Sequence, residues 1–132
     1  MLKSILWYKW NKRWNLEQIS TIEQARELVY ALEEKKAEDI ALIDIREVVI
    51  FTDFFVICSA SSDRMIRSLV NAAEDTMISK FKVKSKVIGS PGNGWVVVDF
   101  TDIVLHIFSP KQREYYQLEE LWSNGKTLLR VK

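Results

Sequence analysis

The chain has one cysteine, Cys58, and one histidine, His106, and these are its natural nucleophile and base. A thiol within hydrogen-bond reach of an imidazole is the arrangement that covalent catalysis needs. Both residues, however, fall in strand-like apolar runs. Cys58 ends Phe54-Phe55-Val56-Ile57-Cys58. A thiol in such a run packs as a small apolar group and is inert. No histidine, cysteine or carboxylate pair has metal-type spacing. Asp44, Asp53, Asp99 and Asp102 are imaginable as a carboxylate set, but none forms an i, i+2 pair on one strand, as two-metal phosphoryl transfer commonly uses. They read as capping and turn groups. Phosphate-cradling G-x-x-x-x-G-K and G-x-G-x-x-G patterns are absent. Gly89 to Gly94 precede a strand, so they aim no helix at a nucleotide. The turn Ser59 to Asp63 opens a helix and reads as its cap.

Chemistry of recognition is more visible. Residues 94–108 read as two strands joined at Thr101-Asp102, with Phe100 opposite Ile103 and Trp95 opposite Phe108. Side chains alternate across a strand. One face then carries Val96, Val98, Phe100, Ile103, Leu105 and Ile107, all apolar. The other carries Trp95, Val97, Asp99, Val104, His106 and Phe108. The first face suits a core, and the second suits a partner.

These residues must be held by other elements. Ser20-Thr21-Ile22-Glu23 fits a capping box, and Ile22, Ala25, Leu28, Val29 and Leu32 mark one face of a helix to about Lys36. Residues 40–45 and 54–58 read as strands, the second apolar on both faces and hence central. Ile66, Leu69, Val70, Ala73, Met77 and Phe81 stripe a second helix. Lys82 to Ile88 reads as a lysine-protected edge strand. Ser109-Pro110 starts a last helix running to about Trp122, and Asn124-Gly125 ends it. Helices with an antiparallel hairpin give an α/β fold, a mixed β-sheet flanked by helices.

The 132 residues suit a single domain. The expected organisation is a tryptophan-rich extension at 1–16, a domain at 17–122 and a basic tail at 123–132. Trp7, Trp10 and Trp14 fall at helical spacing in the extension. No apolar run approaches the roughly 20 residues that cross a bilayer. No convincing signal peptide is present. The lone cysteine fits a reducing compartment, so a cytoplasmic protein is expected. Net charge is +1, but residues 1–14 and 123–132 hold seven bases and no acid. Twelve bases then face eighteen acids in between. An acidic body suits a basic partner protein, and basic ends suit phosphate.

Several blocks, taken in order, resemble the Iojap family, the ribosomal silencing factors. They are Lys36-Ala37-Glu38-Asp39-Ile40, Ile43-Asp44-Ile45, residues 51–59, Ser61-Ser62-Asp63-Arg64, residues 95–100, residues 102–108 and Arg113 to Trp122. The resemblance implies a nucleotidyltransferase-like fold without that group's catalytic carboxylates, no enzymatic activity, no cofactor and no metal. It implies a homodimer that binds protein uL14 of the large ribosomal subunit, with peripheral ribosomal RNA contact through the basic termini. Binding there would block joining of the small subunit and repress translation. The expected partner-binding residues are Trp95, Val97, Asp99, Phe100, His106, Phe108 and Tyr116. Trp95 is the expected anchor. Facing puts Phe100 on the core side, although it matches a bulky family position beside the turn. Two departures stand out. The family commonly has glycine where Ala60 and Thr101 stand, and a two-residue turn favours positive φ at Thr101. The alternative is a nucleotidyltransferase-like enzyme retaining nucleotide binding through Asp44, Asp53 or Asp102. A homodimeric scaffold using the N-terminal tryptophans is a third reading.

Overall fold

The computed structural model of the chain describes residues 16–132. The expected amphipathic helix with Trp7, Trp10 and Trp14 lies outside them. Helix α1 spans Leu16–Glu34, so it is already under way at Ser20. The predicted capping box is therefore interior to the helix. Backbone hydrogen bonds serve the amides that the box would cap, and Glu23 instead pairs with Arg26 at 3.3 Å. Lys36 takes φ 69°, and the Ala37 amide closes back on the Leu32 carbonyl at 3.0 Å, which stops the helix.

Strands β1 (Glu38–Asp44) and β2 (Phe54–Ser59) follow, then helix α2 (Asp63–Phe81). Ser62 caps α2 by accepting from the Met65 amide at 3.1 Å. Lys82 ends it in the left-handed region. Strands β3 (Lys86–Ser90), β4 (Trp95–Asp99) and β5 (Ile103–Phe108) come next. The expected strand over 82–88 thus begins later, at Lys86. Ser109 caps α3 (Pro110–Tyr116), its side chain accepting from the Gln112 amide. The last helix was expected to be continuous. Gln117 interrupts it at φ 47°, and a short α4 (Leu118–Leu121) resumes beyond it. That break turns Leu118 inward and brings Glu119 onto Arg113.

The expected basic tail is instead a sixth strand, β6 (Lys126–Val131), paired antiparallel with β1. Leu128, Leu129 and Val131 rest on the core there, and Arg130 grips the Asp39 carboxylate at 2.7 and 2.8 Å. Apolar burial and this ion pair win over solvation of the segment's charges. Gly125 makes the approach possible, since a Cβ there would sit 2.8 Å from the Asp44 carbonyl oxygen.

The sheet order is β3-β4-β5-β2-β1-β6. β2 and β5 run parallel at the centre, and the other pairs are antiparallel. As expected of a run that is apolar on both sides, every residue of β2 is buried. Helices α1 and α2 cover one face of the sheet. There Ile22, Leu28, Leu32, Ile66, Leu69 and Met77 meet Leu42, Phe54, Val56, Val98, Leu105 and Ile107. The opposite face is covered in part by α3, α4 and the segment from Arg46 to Phe51. No helix among the described residues is long and apolar enough to cross a membrane.

Candidate functional site

The β4–β5 hairpin has the register that alternation demands. Trp95 faces Phe108, Val97 faces His106 and Asp99 faces Val104. At the turn, the Phe100 amide donates to the Ile103 carbonyl at 2.9 Å, and the Asp102 amide to the Phe100 carbonyl at 3.0 Å. Thr101 sits between them at φ 76°, a conformation that β-branched residues resist. Asp99 holds it there, its Oδ1 accepting from the Thr101 amide at 2.7 Å. Asp99 is thus a turn brace at the rim of the site.

Trp95 is the hub of an aromatic cluster. Its ring stacks on Phe108 at a centroid distance of 4.9 Å and meets Tyr116 at 4.6 Å. Its indole N–H donates to His106 Nδ1 at 3.2 Å. That bond requires His106 to carry its proton on Nε2. Nε2 is buried without a hydrogen-bond partner, and the Phe55 ring stands edge-on at 4.8 Å. Burial pushes the pKa of His106 down to about 4, so the ring is neutral at pH 7. The cluster continues from Phe55 to Phe51 at 6.3 Å and Trp122 at 5.7 Å. At the other end, Tyr116 meets Tyr115 at 5.0 Å.

The expected site residues therefore separate. Trp95, Val97 and Asp99 are half-buried, and Tyr116 is 47% exposed. These four offer surface. His106 at 7% and Phe108 at 0% offer almost none, and they form the floor that orients Trp95. Phe100 lies on the other side of the sheet, in the core beneath α1 and α2. As placed, these three present little or no surface to solvent. A sequence reading misses Ile50 and Phe51, both exposed on the β1–β2 connection. The connection has no periodicity that marks a face, so only a long-range contact such as Phe51 on Phe55 identifies them.

A second polar site lies at the β1–α3 end of the sheet. Arg113 is buried and donates to Glu119 Oε1 and to Ser59 Oγ, the latter at 2.9 Å, and also to the Asp39 carbonyl. Its guanidinium thereby ties α3 and α4 to β1 and β2. Arg130 holds the Asp39 carboxyl below the usual carboxylate range. A cavity of about 510 Å³ opens here, lined by Glu38, Asp39, Arg113, Glu114, Glu119 and Arg130 among others.

Cys58 and His106, the candidate nucleophile and base, do not meet. Cys58 points under the helices and His106 to the opposite face. Burial pushes the Cys58 thiol up to about 12, which leaves it protonated and unreactive. Of the carboxylates, Asp44 is buried and held by Arg46 at 3.0 and 2.8 Å. No group of three or more candidate metal ligands gathers among the described residues.

Residues 18–131 match the family model described as "Ribosomal silencing factor during starvation". The ribosomal silencing factor of Bacillus subtilis is 33% identical over 72% of this chain and 80% of its own length. The chloroplastic Iojap protein of Zea mays is 37% identical over 74% of the chain and 42% of its own length. A crystal structure of a Chromobacterium violaceum protein superposes with a TM-score of 0.73 at 27% identity, covering 76% of this chain and 84% of that one.

Proposed function

This chain belongs to the ribosomal silencing factor family, and we propose that it binds protein uL14 of the large ribosomal subunit through the Trp95 face. Bound there in the cytoplasm, it would stand where the small subunit must dock and so repress translation. Steric exclusion needs no catalytic group, only a surface that stays bound. The observation that carries the reading is the half-covered aromatic face. Trp95 is oriented by Phe108, Tyr116 and His106, and rings flank it on both sides. Interface anchors are aromatic, central and held in place before binding. The Trp95 indole N–H is already spent on His106, so the ring would bind through its apolar surface and shape.

The relatives support the partner. Family members are named as ribosomal silencing factors, and a mouse relative, 35% identical over 73% of this chain, is named for mitochondrial assembly of the ribosomal large subunit. Light scattering during mixing of large and small subunits tests the function. Pre-incubation of the large subunit with this protein should lower the amplitude of joining, and pre-incubation of the small subunit should not. Undiminished joining at saturating protein would refute the reading.

A further inference from the structure

The stretch from Thr76 to Val98 contains no acidic residue and four lysines, Lys80, Lys82, Lys84 and Lys86. Lys80 is spent on Glu27 at 2.8 Å. Lys82, Lys84 and Lys86 are exposed, and no described carboxylate lies within ion-pair distance of them. Between them, Val83 packs on the core and Ser85 donates to Glu74 Oε2 at 2.7 Å. The backbone is pinned as well, since the Val83 amide donates to the Met77 carbonyl at 3.1 Å. Val83 and Ser85 are half-buried, whereas Lys82, Lys84 and Lys86 stay exposed along the short stretch that leads from the left-handed end of α2 into β3. Lysine commonly protects sheet edges from pairing. That accounts for Lys86 alone, because β3 begins there and Lys82 and Lys84 precede it. Lys86 lies opposite Asp99, but Asp99 is engaged with the turn amide. The row therefore leads straight onto the edge of the Trp95 face.

We propose that Lys82, Lys84 and Lys86 form a phosphate-binding edge that takes an RNA backbone. An ammonium is a compact charge that suits a phosphate. A row held in place loses little backbone freedom on binding. RNA is preferred to other polyanions on the reading above, because a protein docked on a ribosomal protein has RNA beside it. The row would add affinity and orientation to the aromatic contact without reading sequence.

Fluorescence anisotropy with a labelled RNA hairpin tests this without ribosomes. Between about 50 and 200 mM salt, the logarithm of affinity should fall with slope about −0.7 to −0.9 per phosphate engaged. Replacing all three lysines (Lys82→Ala, Lys84→Ala, Lys86→Ala) should weaken binding about tenfold at low salt and flatten the slope by about 2. The triple Lys→Arg variant should bind as the parent does. Trp95→Ala should leave hairpin binding unchanged, whereas large-subunit binding depends on it, so loss of the uL14 reading and loss of this one are separable. The proposal is overturned if the parent protein fails to bind the hairpin at low salt, or if the alanine variant keeps both affinity and slope.

Discussion

The two faces of the β4–β5 hairpin are built from alternating residues of the same strands, yet they end in different environments. Val96, Val98, Leu105 and Ile107 are sealed beneath two helices of 19 residues each. Trp95, Val97, His106 and Phe108 lie under helices of 7 and 4 residues, broken at Gln117. The long helices complete one core. The short ones stop before covering the other, so large rings remain at the surface. Stability is concentrated on the first face, and the proposed recognition uses the second.

This contrast can be broken by substitution. The largest effect is expected on the sealed face. Leu105→Ala should cost about 2–5 kcal/mol of unfolding free energy, since the side chain is wholly buried. Urea unfolding measures it, and a loss below about 1 kcal/mol would mean that this face is not the core. On the open face, His106 gives a pH dependence. Its folded pKa of about 4 lies below the ordinary 6.5. The unfolded chain thus binds the proton first, and stability falls as pH drops from 6.5 towards 4. The full shift corresponds to about 3 kcal/mol. His106→Phe should flatten this window in urea titrations at successive pH values, and an unchanged slope would place the dependence elsewhere. The smallest effect is at the turn. Thr101→Gly removes a β-branched residue from φ 76° and should stabilise the protein by about 1 kcal/mol, net of the added freedom of the unfolded chain. A lower denaturation midpoint would show that Asp99 and its hydrogen bond leave no strain to relieve.

Much of this contrast is legible in the sequence because β-alternation is a local rule. Residues 94–108 carry it without interruption, so the register and the two faces follow from residue types alone. The central position of β2 follows in the same way, from Phe54 to Cys58. Features that depend on distant partners are not legible. Arg130 reads as a solvated tail charge until Asp39 is found across the sheet from it. The break at Gln117 has no glycine or proline to announce it. The burial of His106 and Phe108 depends on how Trp95, Phe55 and Tyr116 pack above and around them, which alternation does not specify. Ile50 and Phe51 lie on an irregular connection, where no period exists to read.

The most direct measurement is co-sedimentation of Trp95→Ala with purified large ribosomal subunits, alongside a circular dichroism spectrum of the variant. Loss of the indole should weaken binding by about 2 kcal/mol or more, roughly thirtyfold, in a protein that keeps its fold. A folded Trp95→Ala protein that still pellets with the subunit at the parental affinity would contradict the account.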